Sequence, residues 1–94
     1  MELRFHKDPD TGLPHIYDHG VTEEEVRQVL ARPGEVQSGS EDSRIVMGQT
    51  EAGRYLRVIY VPDPGGGSAF VITAFELKGK QLKAHRRFKR RRGK

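Results

Sequence analysis

Two β-prone runs joined by a glycine-rich loop constrain this chain more than anything else in it. Arg54 to Val61 (RYLRVIYV) and Ala69 to Leu77 (AFVITAFEL) are rich in the β-branched and aromatic residues that suit a pleated, half-buried surface. Pro62 ends the first run, and Asp63-Pro64-Gly65-Gly66-Gly67-Ser68 supplies turn-forming residues for a hairpin connection. The near-continuous apolar character of the second run predicts a central strand covered on both faces. Arg44 to Gly48 predicts a further strand, turned back onto the first run through Gln49 to Gly53. Leu3 and Phe5 alternate with Glu2, Arg4 and His6, the pattern of a short edge strand. The chain has 94 residues, of which 34% are apolar, and no tryptophan. So little apolar material builds only a thin core, and one domain is all that this length supports. The expected class is therefore α+β: a small antiparallel sheet packed by one or two helices.

The clearest helix signal lies between these strands. Thr22 with Glu25 three residues later forms a capping box, and Val21 with Val26 takes the staple positions. Glu23, Glu24 and Glu25 fill the first turn, where the helix dipole favours negative charge, and Pro33-Gly34 stops the helix after Arg32. Val26, Val29 and Leu30 form its apolar face. Residues 35–43 are polar and read as a loop, and His15 to Tyr17 as a brief strand or a lead-in to the helix. A second, basic helix is expected over residues 80 to about 90, with Leu82, Ala84, His85 and Phe88 facing inward. The predicted organisation is one domain over 1–88 and a flexible basic arm over 89–94.

Charge is distributed unevenly. Lys78 to Lys94 contains ten Lys or Arg residues and no Asp or Glu, whereas the seven basic and thirteen acidic residues of 1–77 leave that part at −6. Such asymmetry points to a polyanion, a membrane surface, or pairing between the halves. Lys89, Arg90, Arg91 and Arg92 repel one another unless neutralised, and phosphates do this with salt-sensitive, sequence-independent affinity. Phe88 is the only aromatic residue in this segment, so backbone contact is expected rather than base stacking. The apolar face a membrane contact requires is meagre. Absence of cysteine excludes disulfides and thiolate zinc sites. The charged opening residues show no secretory pattern and no run approaches a membrane span, so the expected location is the cytoplasm.

Three segments in this order resemble one family. His19-Gly20-Val21 ahead of the acidic-started helix, ending Glu25-Val26-Arg27-Gln28-Val29-Leu30, is similar to the opening of BrnT-type toxins. Arg44, Gly48 and Gly53-Arg54-Tyr55-Leu56-Arg57-Val58-Ile59-Tyr60 resemble that family's central hairpin. Val71 to Leu77, leading into a basic helix, resembles its last strand and helix. The resemblance runs from Phe5 to about Arg87 and implies a RelE-like fold. It also implies the toxin half of a bacterial toxin–antitoxin pair, a metal-independent ribonuclease with no cofactor, whose partner is a small DNA-binding antitoxin. Thr73-Ala74-Phe75-Glu76 stands where the family has an arginine-bearing run, and Lys83-Ala84-His85-Arg86-Arg87 departs from its closing helix. Those departures resemble a sister group of small domains that end in a basic run.

Metal-free RNA cleavage needs a base for the 2′-hydroxyl, cations on the phosphate and an acid for the leaving oxygen. His85 is the natural acid or base, since imidazole titrates near working pH. Glu76 is the alternative base, and Arg54, Arg86 and Arg87 could grip a phosphate in bidentate fashion. Against this, His85 could simply cover the sheet and the arginines be a solvated face. Arg44, Lys78, Lys80 and Lys83 join Arg87 and the basic arm as candidate phosphate contacts. Side chains alternate along a strand, which puts Arg54 with Leu56 and Val58, and Arg57 with Tyr55 and Ile59. Arg57 is the one expected to pair with the acidic helix, and Arg44 is expected to join Arg54 across the hairpin. His6, His15 and His19 with Asp8, Asp10 and Asp18 raise a metal site. Pro14 and Gly20 argue against a helix that would align His15 with His19, so a structural role for His19 near the helix start is expected and no metal site is assigned.

Three functions are consistent with these features: an endoribonuclease, a non-catalytic RNA- or ribosome-binding domain, and a basic module that docks an acidic protein.

Overall fold

The structure is a computed structural model that describes residues 2–92, with side chains described through Arg87. Phe88 and the expected arm from Lys89 to Lys94 therefore lie outside the described side chains. Five strands form one sheet: β1 (Glu2–Phe5), β2 (Glu35–Ser38), β3 (Arg44–Gln49), β4 (Tyr55–Pro62) and β5 (Ser68–Glu76). A 3-10 helix spans His15–His19, α1 spans Glu23–Ala31 and α2 spans Gly79–Arg92. The strand order is β1-β5-β4-β3-β2. The chain is thus α+β, a sheet with two helices.

β4 and β5 pair antiparallel from Leu56 opposite Glu76 to Pro62 opposite Ala69. Their register shifts between Ile59 and Tyr60, so Ile72 is skipped and lies 36% exposed. β3 pairs antiparallel with β4 on one side and β2 on the other.

Two sequence expectations are corrected here. The sheet is mixed rather than purely antiparallel, because β1 runs parallel to β5. Alternation in Leu3 and Phe5 marks a strand but carries no information about its direction. Residues 35–38, expected as loop, form edge strand β2. It shows no alternating burial, being half-buried at Glu35 and exposed at the next three residues, so the backbone ladder to β3 holds it.

The core lies on one face of the sheet. Val46, Leu56, Val58, Val71 and Ala74 meet Val26 and Val29 of α1, joined by Phe5, Ile16 and Val21. Full burial of a Val or Leu stabilises by roughly 1.5–3 kcal/mol, so these side chains hold α1 down. α1 starts as expected: the Thr22 side chain accepts from the Glu25 N–H at 3.2 Å, and Glu25 Oε1 accepts from the Thr22 N–H at 3.0 Å.

The 3-10 helix is a third correction. Pro14 and Gly20 bracket a helical turn instead of preventing one. Pro14 takes an extended ψ of 134° ahead of it, and Gly20, at φ 71°, closes it with an N–H to the Tyr17 carbonyl at 3.0 Å. A residue with a β-carbon would be strained in that left-handed conformation.

α2 follows directly on β5 and meets β2. Among the described residues no helix is long and apolar enough to cross a membrane.

Candidate nucleic-acid interface

One end of the sheet collects most of the candidate residues. There β4 and α2 begin, β3 and β5 end, and the turn between β3 and β4 approaches the start of α1. Leu56 is opposite Glu76, which puts Arg54, two residues earlier on the same face, beside Glu76. The core packs on this face, so Arg54 also meets α1. Its Nη1 donates to Glu25 Oε2 at 2.7 Å, to Glu25 Oε1 at 2.9 Å and to the Gly20 carbonyl at 3.1 Å. Its Nη2 reaches Glu76 Oε1 at 3.4 Å.

This cluster is electrostatically settled. Burial pushes the Glu25 carboxyl up, but the Thr22 N–H and the Arg54 guanidinium outweigh it and hold the group below its ordinary value. Hydrogen bonding to Glu25 raises Arg54 further above its already high value. Arg54 and Glu76 do come together, as two partners in metal-free phosphate chemistry would, yet two carboxylates and a carbonyl engage the guanidinium. Arg54, not Arg57, is the arginine that pairs with the acidic helix. Arg57 lies on the opposite face, with its guanidinium 6.0 Å from the Phe75 ring centre.

Arg44 is not near Arg54. It pairs with Tyr60 at the far end of β3, whereas Gln49 pairs with Tyr55 at the near end. Five residues of strand separate those rungs by ~17 Å. Arg44 instead donates to the Asp42 and Ser43 carbonyls at 3.3 and 3.2 Å.

His85 is an interior residue. Its side chain has 0% exposure, with Nδ1 3.5 Å from Glu35 Oε1 and its ring edge-on to Tyr55 at 5.6 Å between centres. Gly34 makes room for it: a β-carbon there would lie 3.1 Å from His85 Cε1 and 2.9 Å from the Met47 carbonyl oxygen. His85 lies at the edge of a groove of about 510 Å³ lined also by Gln28, Arg32, Gly48, Gln49 and Thr50. With none of its side-chain surface exposed, the ring is not presented to an RNA phosphate in this structure. Arg86 lies with its guanidinium 5.5 Å from the centre of the Tyr55 ring, a cation–π contact that leaves it exposed.

The basic residues of α2 are arranged differently. Leu82 and His85, three apart, face the body of the protein, half-buried and buried respectively. Lys80, Lys83 and Arg87, spaced three and four apart, occupy the opposite side of the helix and are exposed, as is Lys78 just before it. Among the described residues no salt bridge involves Lys78, Lys80, Lys83, Arg86 or Arg87. The four candidates Lys89, Arg90, Arg91 and Arg92 lie outside the described side chains. The spacing of Leu82 and His85 was the sequence signal for burial of the histidine. No sequence signal assigned Glu25 to Arg54, because both faces of β4 are apolar enough to receive a helix.

Residues 15–76, from the 3-10 helix to the end of β5, match the family described as Domain of unknown function (DUF4258). The match includes α1, Arg54 and Glu76 and stops short of α2. No curated protein and no solved structure matches the chain.

Proposed function

The chain belongs to the DUF4258 family, and from that premise we propose that it is a non-catalytic RNA-binding module whose contact surface is the basic helix α2. The observation that carries this reading is the exposed row Lys80, Lys83 and Arg87, on a helix that contains no acidic residue. Lys83 and Arg87, four apart, repel each other along the helix, and a phosphate backbone relieves that repulsion. The same segment has Phe88 as its only aromatic residue, which favours contact with the backbone over base readout. The resemblance to BrnT-type toxins, and to a RelE-like fold, supports RNA as the polyanion.

A second reading, a toxin-like endoribonuclease held by a small DNA-binding antitoxin, is favoured by one observation. Arg54 and Glu76 lie 3.4 Å apart beside the start of α2. The burial of His85 and the saturation of Arg54 by Glu25 weigh against it.

One experiment separates the two. Fluorescence anisotropy with a single-stranded RNA should show affinity that falls with salt. The double reversal Lys80→Glu with Arg87→Glu should abolish most binding and lower the slope of log K against log salt by about 1–2. Incubation of the wild type with total RNA should leave it intact. Cleavage lost in His85→Ala and Arg54→Ala variants that stay folded would establish the ribonuclease instead. Salt-insensitive binding, or binding unchanged by the reversal, would overturn the α2 surface.

A further inference from the structure

The histidines near the start of the chain take no part in the basic surface, yet the fold gathers them. The 3-10 helix brings the His15 and His19 rings to 5.0 Å between centres, with planes at 82°. Their Nε2 atoms lie 3.3 Å apart. Asp18 Oδ2 is 3.7 Å from Nδ1 on the other side of the His15 ring. His6 stands beside this pair, its ring centre 5.9 Å from that of His15.

Two features of this arrangement are those of metal ligation. Two nitrogens bound to one tetrahedral zinc ion at about 2.0–2.1 Å each are separated by about 3.3–3.4 Å, which is the separation of these two Nε2 atoms. A ligating imidazole also needs its other nitrogen protonated and oriented, and a carboxylate beside Nδ1 does this. Asp18 occupies that place on His15. We propose that His15 and His19 form a two-imidazole site for a borderline divalent cation, Zn²⁺, with water in the remaining positions. Imidazole suits zinc, copper and nickel, whereas magnesium and calcium prefer oxygen.

The protons balance without an outside reactant. In the metal-free pair one ring donates Nε2–H to the Nε2 lone pair of the other. With the hydrogen of His15 on Nδ1, the side that faces Asp18, His19 is the donor. On binding, His19 carries its hydrogen on Nδ1, both Nε2 lone pairs face the ion, and each ring keeps the one hydrogen it had in that hydrogen-bonded pair. Among the described residues no group of three or more His, Asp or Glu side chains is placed to hold a metal ion, so the protein supplies two ligands. The site also lies next to the start of α1. His19 precedes Gly20, whose carbonyl accepts from Arg54 at 3.1 Å. Zinc bound only to the folded chain should therefore raise its melting temperature, through mass action.

The test is calorimetric titration of the full, untagged chain with Zn²⁺ alone. One saturable ion per chain is expected. His15→Ala and His19→Ala should each weaken binding at least tenfold, Asp18→Asn should weaken it by about tenfold, and His6→Ala by no more than about twofold. His15 and Asp18 side chains are 36% and 57% exposed, so these variants should melt like the wild type without metal. Long-range ¹H–¹⁵N spectra of the wild type need no variant at all: Zn²⁺ should shift the Nε2 resonances of His15 and His19 together. Absence of saturable binding overturns the proposal, as does equal affinity in the His15→Ala and His19→Ala variants. Nε2 shifts confined to other histidines, or a loss in His6→Ala as large as in His15→Ala, overturn the two-imidazole assignment.

Discussion

The two helices of this small domain solve opposite problems with opposite charges. α1 is acidic at its start, and two of the three glutamates there, Glu23 and Glu25, are used within the fold. Glu25 closes the capping box and binds Arg54, and Glu23 accepts from the Tyr17 hydroxyl at 2.8 Å. Its apolar face is buried at Val26 and Val29. α2 is basic, offers only Leu82 and His85 to the body among its described inward side chains, and leaves Lys80 and Lys83 outside. The difference separates charge that builds a fold from charge that remains available to a partner. Net charge alone, +4, hides this distinction.

The largest expected effect tests whether α1 alone holds the core. Leu56 has 0% exposure beneath α1, and Leu56→Ala should lower the unfolding free energy by about 3 kcal/mol. Leu82 is half-buried under α2, and Leu82→Ala should cost about 1 kcal/mol. Urea denaturation measures both. Equal costs would make α2 as integral to the core as α1 and erase the contrast.

How much of this contrast is legible in the sequence depends on how local its causes are. The capping box needs only Thr22 and Glu25, three residues apart, and it is present as expected. β4 and β5 were legible because apolar, β-branched runs bounded by Pro62 and the glycine loop leave few alternatives. β2 was not, because Glu35-Val36-Gln37-Ser38 has no alternation to read and exists through pairing with β3. The parallel direction of β1 depends on a partner more than sixty residues away. The same holds for Arg54. Alternation correctly put it on the face of Leu56 and Val58, but Tyr55, Ile59 and Val61 make the other face equally apolar. Which face α1 covers is a tertiary choice, and with it goes the identity of the arginine that α1 captures. The histidine pair is hidden in the sequence for another reason: Pro14 and Gly20 break a helix when inside it, but at the two ends of a short turn they act as its boundaries.

An intermediate effect is expected from cutting the tie between α1 and the sheet. Arg54→Ala removes several charge-assisted hydrogen bonds and should cost about 1–2 kcal/mol near neutral pH. Glu25 in the folded protein titrates below its ordinary value of 4.5. A depressed carboxylate contributes stability that is fully present above its unfolded-state value and is lost as pH falls through the folded-state value. The wild type should therefore lose stability on acidification below about pH 4.5, and the Arg54→Ala variant should lose less over the same interval. Urea midpoints across that range measure the difference. Parallel curves would mean that Arg54 does not set the Glu25 carboxyl.

The smallest effect on stability is expected at Lys83, and there the contrast between the helices is sharpest. Lys83 is exposed on the outer side of α2, one turn from Arg87 and within a helix without acidic residues. Alanine removes a like-charge neighbour, worth about 0.2–0.5 kcal/mol, and raises helix propensity slightly. Lys83→Ala should thus leave the urea midpoint unchanged or move it upward by no more than about 0.5 kcal/mol. RNA affinity should respond in the opposite direction. Losing one phosphate contact on a single strand lowers the slope of log K against log salt by about 0.7 and weakens binding most at low salt. A residue kept for the fold would lower stability when removed and leave the salt dependence alone. Stability held or gained together with affinity lost is the behaviour of a charge whose partner is another molecule.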